Sequence, residues 1–292
     1  MAAKMELDVA SLSRFLSRSG VPGYHGKGLV ATKYPNGQSN PTFLVEEVDA
    51  AGRVLGRWVL RRKPMGVLLP SAHAVDREFA FQRALRPAGV PVPLVHALCE
   101  DDSIIGSSFY VMEHCEGTIW KDPRLPECSP GRRGKIYGEL ARGLAKLHAV
   151  DASSLEGLPR SAGKRSSSSG GLGYGLRTLR RWKKQYLASC AAVREDPLDN
   201  MLYLAKYLEA RVPAPSSSGA DRRECILHGD FRLDNCICAG GSDEIKAILD
   251  WELATVGTRD QALADVAYCC LPYYLPPTVL AIQTLTVFCK ET

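Results

Sequence analysis

The stretch ILHGDFRLDNCICAGGSDEIKAILDWEL, residues 226–253, sets the tightest limit on how this chain can fold. His228, Asp230, Asp234 and Asn235 crowd around one Phe-Arg-Leu step, and Asp250 closes the apolar run Ile245-Lys-Ala-Ile-Leu249. Strand-like runs on either side would carry these acceptor groups to strand ends and to the loop between them. Such a placement suits a site, not a core.

The chain has 292 residues, enough to bury a sizeable core as one large domain or as two lobes sharing a cleft. Apolar residues make up 45% and charged residues 24%, ordinary values for a globular protein. A net charge of +5 is too mild to call for a polyanionic partner, so no nucleic acid is expected, while an anionic small molecule would suit it. The ten cysteines are scattered without a regular framework and read as reduced thiols. Cys236-Ile-Cys238 has no second pair at zinc-site spacing and reads as a strand. No apolar stretch approaches the roughly twenty residues needed to cross a bilayer, so membrane insertion is not expected. Val9, Leu12, Phe15 and Leu16 recur at helical spacing before Gly20, and Glu6 and Asp8 argue against a transit peptide. The compartment is taken as cytoplasmic by default.

From Gly28 to about Arg61 the pattern is three strands with two turns, broken at Gly37 and Asn40-Pro41 and again at Asp49–Gly52. Ser71 can cap a following helix with apolar positions Ala74, Phe79, Phe81 and Leu85, ending at Pro87 and Gly89. Two more strands follow, to Leu98 and over Ser107–Met112, the second running into Glu113-His-Cys-Glu-Gly117. After that the periodicity turns helical: Gly134–His148, Leu176–Ala191, Leu198–Ala210 and about Gln261–Leu271. Ser161–Gly175 and Pro213–Ala220 read as loops, and the G-x-G-x-G run of Gly171–Gly175 lacks the strand that a dinucleotide fingerprint needs. The reading is an α+β chain of two lobes: residues 1–113, an antiparallel-sheet lobe with one helix, and residues 114–292, mainly helical.

His228-Gly-Asp-Phe-Arg-Leu-Asp-Asn235 has the form H-G-D-x-x-x-x-N, similar to the protein-kinase catalytic loop H-R-D-L-x-x-x-N. Phosphoryl transfer explains the spacing. A hydroxyl is a poor nucleophile at neutral pH, so a carboxylate must orient it and take its proton, and Asp230 is the candidate. ATP arrives with Mg²⁺, which prefers hard oxygen ligands, and Asn235 and Asp250 can offer them. Arg232 stands where many protein kinases have a Lys, to contact the transferred group and hold Asp230. Arg61 ends the third strand where protein kinases carry a Lys, and Glu78 lies on the next helix, a pairing that holds nucleotide phosphates. Gly37, Gln38, Ser39 and Asn40 fall between the first two strands, where a phosphate-covering loop belongs. Glu113 opens the hinge, where main-chain groups would meet adenine.

The chain resembles the aminoglycoside phosphotransferase and choline kinase-like small-molecule kinases, through H-G-D-x-x-x-x-N followed by L-D-W-E. More specifically, NGQSNPTF, VLRRKP, LLPSAHAVDREF, HGDFRLDN, LDWELATVG and LADVAY are similar to the kinase-like domain that precedes the dehydrogenase in acyl-CoA dehydrogenase family members ten and eleven. The resemblance runs from about Asp8 to Tyr274. It implies a bilobal protein-kinase-like fold, ATP with Mg²⁺ as donor, a small-molecule hydroxyl as acceptor, a 4-hydroxyacyl-CoA among such acceptors, and a mitochondrial or peroxisomal setting beside the default one. Two departures stand out. Gly257–Asp265 is longer than the relatives' G-D-P-L-A-D, and only Val266–Thr292 follows, so a C-terminal lobe truncated on its acceptor side is expected.

Plainer roles accompany these. His228 is expected to brace the loop through hydrogen bonds, Asp265 to accept from loop N–H groups, and Asp234 to be exposed. Trp182, Lys183, Lys184 and Tyr186 fit a solvated basic helix face as well as an acceptor pocket. The alternative function is an inactive kinase-like nucleotide-binding module with no acceptor site.

Overall fold

The structure, a computed structural model, describes residues 7–35, 40–65, 74–159, 174–211, 224–258, 262, 265 and 266. Alternating apolar residues build the first half of the chain into a five-stranded antiparallel sheet. Its strands are β1 (Gly28–Lys33), β2 (Thr42–Val48), β3 (Val54–Arg62), β4 (Val95–Cys99) and β5 (Phe109–Glu113), in the order β1-β2-β3-β5-β4. On one face Phe43, Val45, Trp58, Leu60, Phe109 and Val111 pack with Leu12 and Leu16 of α1 (Val9–Arg18). On the other, Val59, Tyr110 and Met112 pack with Val75 and Phe79 of α2 (Val75–Leu85). The period of two therefore decides the chemistry of β3: Arg62 is buried on the α1 face, where its Nη1 donates to the Ile105 carbonyl at 3.1 Å, and Arg61 emerges on the α2 face.

A buried carboxylate fastens the segment after α1 to this sheet. Glu47 of β2 is fully buried and accepts from the backbone N–H groups of His25 (3.0 Å) and Lys27 (2.7 Å). Burial opposes its charge, but those donors prevail and hold the carboxyl below its ordinary value.

The second half is built on α3 (Pro130–Ala149). It starts earlier than the periodicity alone places it, because the Ser129 hydroxyl accepts from Arg132 N–H and Pro130 occupies the first turn. Its buried stripe of Ile136, Leu140, Leu144 and Leu147 packs on Phe231, Leu233, Ile248 and Trp251, and on Phe81 and Leu85 of α2. The helices α4 (Tyr174–Val193) and α5 (Asp199–Glu209) follow, then two antiparallel pairs, β6 (Glu224–Leu227) with β9 (Thr255–Thr258) and β7 (Cys236–Cys238) with β8 (Ile245–Ile248). Gly175, read as loop, lies inside α4. Ala74 is the N-cap of α2, not one of its apolar positions, and makes no side-chain cap bond. Ser71, most of the Ser161–Gly175 loop, the Pro213–Ala220 loop and most of the Gln261–Leu271 helix lie outside the described residues. The seven cysteines among the described residues are free thiols, and no helix there is long and apolar enough to cross a membrane.

The connection from β5 into the helical half runs tight against β7. Thr118 N–H donates to the Cys238 carbonyl at 2.8 Å, and Cys238 N–H to the Thr118 carbonyl at 2.9 Å. A Cβ on Gly117 would stand 2.4 Å from the Cys238 carbonyl oxygen, a backbone atom with no room to yield. We expect Gly117→Ala to lower stability by about 1–3 kcal/mol, as overpacking does. Thermal and urea melts read this directly; an unchanged midpoint would show that the connection can move away from β7.

Candidate active site

The loop between β6 and β7 is held in place before any substrate is considered. His228 is fully buried, its N–H donates to Asp265 Oδ2 at 2.7 Å, and Gly229 N–H donates to Asp265 Oδ1 at 2.9 Å. Gly229 sits at φ +81°, and a Cβ there would lie 2.8 Å from the Leu253 carbonyl oxygen, so this position accepts only glycine. The His228 ring packs against Trp251 with centroids 4.6 Å apart. Its Nε2 lies 2.9 Å from the Leu249 carbonyl and its Nδ1 3.2 Å from Asp230 N. This arrangement assigns the proton to Nε2, leaving Nδ1 to accept from Asp230 N–H. Burial lowers the His228 pKa and keeps the ring neutral, in line with its bracing role.

Asp230 then emerges with its carboxylate partly exposed and held on both sides. Asn235 Nδ2 donates to Asp230 Oδ2 at 3.0 Å and to its carbonyl at 2.9 Å, and Arg232 Nε lies 3.3 Å from Oδ1. Arg232 also reaches Asp234, with Nη2 3.4 Å from Oδ2, and the Asp234 side chain keeps 39% of its surface exposed. Because the Asn235 nitrogen faces Asp230, its Oδ1 is the atom left to meet a cation. Leu249 N–H donates to the Asn235 carbonyl at 2.8 Å, tying that residue to the segment that presents Asp250.

Asp250 occupies a left-handed conformation, φ 65° and ψ 63°, at the start of the 3₁₀ turn Trp251–Leu253. Aspartate tolerates this region better than most residues, and such a backbone is frequent where a side chain must be aimed. Its Oδ1 lies 2.6 Å from Arg61 Nη2. Arg61 Nε is 2.9 Å from Glu78 Oε2, so one guanidinium joins β3, α2 and the end of β8. Burial alone would lower the Arg61 pKa, but the carboxylates of Glu78 and Asp250 raise it instead. Glu78 is fully buried, which pushes its carboxyl up to about 7 against the pull of Arg61. Asn40 Nδ2 and Tyr110 Oη donate to it at 2.7 and 3.1 Å.

The cluster includes one residue given no role from sequence. Oxygens of Glu78, Asp250 and Glu252 lie within 4.8 Å of one another, and Glu252 Oε2 is 4.0 Å from Arg61 Nη2. The Asp-x-Glu spacing is visible in the sequence, but nothing local places it opposite Glu78. Carboxylate and carboxamide oxygens are the hard donors that Mg²⁺ prefers, so Asp250 and Asn235 fit such an ion, with Glu252 nearby.

Five further nucleotide contacts are expected, at Gly37, Gln38, Ser39, Asn40 and Glu113. Gly37, Gln38 and Ser39 lie outside the described residues. Asn40 is buried and spends its carboxamide nitrogen on Glu78, an internal brace in place of a phosphate contact. The Glu113 N–H donates to the Leu94 carbonyl at 2.8 Å, and its carboxylate accepts from Leu94 N–H and Arg86, so this residue secures β4 to β5. On α4, Arg180 and Lys183 approach Glu209 of α5 at 3.2 and 3.8 Å and Trp182 is 43% exposed, an arrangement that fits the solvated basic face.

Comparison with known proteins bears on the family and the fold. Acyl-CoA dehydrogenase family member 10 of Mus musculus is 42% identical over 275 residues, 93% of this chain and 23% of that protein. The chain spans about a quarter to a third of the length of the curated relatives it matches. A Ralstonia eutropha protein of known crystal structure, assigned as an aminoglycoside phosphotransferase, superposes with a TM-score of 0.69 at 32% identity, covering 93% of this chain and 72% of that one. A choline kinase from Cryptosporidium parvum shares the fold alone, with a TM-score of 0.60 at 14% identity over 91% of this chain and 69% of its own. Residues 30–284 match the family model described as the phosphotransferase enzyme family, and with its two-lobed, kinase-like α+β fold the chain belongs to that family.

Proposed function

We infer that the chain is an ATP- and Mg²⁺-dependent phosphotransferase that acts on the hydroxyl of a small molecule, with Asp230 as the base. The observation that carries this reading is the convergence around His228: Asp230 gripped by Asn235, and Asp250 presented one residue beyond the Leu249 carbonyl that His228 holds. In this reading Asp230 accepts the hydroxyl proton as the alcohol oxygen bonds to the γ-phosphorus. The bond from that phosphorus to the bridging oxygen breaks, and ADP leaves. Asn235 and Arg232 fix the carboxylate, one at each oxygen. Asn235 Oδ1 and Asp250 would hold Mg²⁺, which when bound neutralises charge on the phosphate oxygens. Arg61, kept cationic by Glu78, is placed to exchange its Asp250 contact for a phosphate oxygen, which its fork suits.

For the acceptor, the acyl-CoA dehydrogenase names of the relatives favour a hydroxyacyl-CoA over an aminoglycoside or choline. The deciding experiment incubates the protein with Mg-ATP and a panel of hydroxyacyl-CoAs, aminoglycosides and choline-like alcohols and weighs the products by mass spectrometry. A mass gain on a hydroxyacyl-CoA supports the reading; a gain on another member reassigns the acceptor; no gain on any acceptor refutes transfer.

Two substitutions separate the roles. Asp230→Asn keeps the shape but removes the base, so transfer should fall by at least about 10²-fold, with ATP affinity by calorimetry within a small factor of wild type. Asp250→Asn preserves the left-handed backbone and removes a charge, so the Mg²⁺ concentration for half-maximal ATP binding should rise about tenfold or more. Unchanged transfer in the first variant, or unchanged Mg²⁺ dependence in the second, would strike that residue from its role.

A further inference from the structure

The anchor of the H-G-D loop is a single carboxylate, and one side chain from a distant helix reaches it. Asp265 Oδ1 accepts from Gly229 N–H, and Oδ2 accepts from His228 N–H at 2.7 Å. His148, in the last turn of α3, brings its Nε2 to 3.2 Å from the same Oδ2, with side-chain exposures of only 15% for His148 and 5% for Asp265. Among the described residues, His148 is the one side chain hydrogen-bonded to Asp265. The other two donors are backbone groups of the loop itself. They hold the loop to the carboxylate but cannot fix the carboxylate to the rest of the molecule.

We propose that His148 is a positioning residue for phosphoryl transfer: its Nε2–H sets the plane of the Asp265 carboxylate, and through it the placement of Asp230. The inference rests on the reading of Asp230 as the base. Gly229 is pressed against Leu253 in a conformation closed to other residues, and Asp230 N–H donates to the ring of the residue that Asp265 holds. A carboxylate that swings therefore passes its motion along residues 228–230 without a soft joint to absorb it. Arg61 and Glu78 lie on other elements and touch neither Asp265 nor His228, whereas Asp250 follows the Leu249 carbonyl that His228 holds and feels the motion through that bond.

The test compares His148→Ala, which removes the donor, with His148→Gln, whose Nε2 can replace it. The substrate is Mg-ATP with the acceptor found by the panel, or with water in background hydrolysis. The Ala variant should lose about tenfold in kcat, the order expected when a reacting group is displaced by a fraction of an ångström, with a smaller change in KM for ATP. The Gln variant should recover most of that rate. Hydrogen exchange of the peptide over residues 226–235 should be faster in the Ala variant and close to wild type in the Gln variant.

Unchanged exchange and kcat in His148→Ala, or a Gln variant as impaired as the Ala one, overturns the inference. If the wild type transfers nothing, the functional reading fails while the exchange comparison still decides whether His148 fixes the loop. Should His148→Ala not fold, His148→Leu keeps bulk without a donor and is read the same way. A Gln variant with a loosened loop is by itself decisive against the proposal.

Discussion

The site depends on one largely enclosed cation shared between acids from separate elements. Arg61 reaches Glu78 on α2 and Asp250 beyond β8, so the sheet, its covering helix and the helical half meet in a single guanidinium. Taking these charges from water is costly, and each is compensated only while the others stay in place. Arginine suits the position better than lysine because its planar fork can serve two carboxylates at once. Arg77 of α2 adds a second tie by donating to the Ala254 carbonyl just past the 3₁₀ turn.

Around that cation, backbone hydrogen bonds do most of the placing. The loop that presents Asp230 is fixed by Asp265, by the neutral His228 ring and by Asn235, and each of these is also tied to a neighbouring strand or helix. Rigid support of this kind is what a group that must meet a developing charge requires. The geometry of the candidate site is thus a property of the scaffold.

Much of this was readable from residue order. The three strands leading to Arg61 follow from alternation, and the link to Glu78 follows from a strand ending in a cation before an amphipathic helix. Other features depend on contacts that no local pattern encodes. Asn40 looked like a loop residue facing phosphate, but Glu78, 38 positions away, takes its carboxamide. Glu252 joins the acidic cluster only because a 3₁₀ turn folds it back toward Glu78. His148 and Asp265 are 117 positions apart, and neither carries a spacing that points to the other. The start of α3 was the reverse case: Ser129-Pro130 is a legible local signal, masked by the glycines that follow it.

The left-handed backbone at Asp250 limits which replacements can arise there without breaking the turn. Only glycine, asparagine and aspartate enter that region at little cost, while a β-branched or bulky residue adds a steric penalty of about 1–2 kcal/mol. A descendant of this chain that gave up its charge would therefore reach asparagine or glycine far more easily than valine or leucine. A copy without that charge would keep the same shape, and only the letter at this position would betray the change.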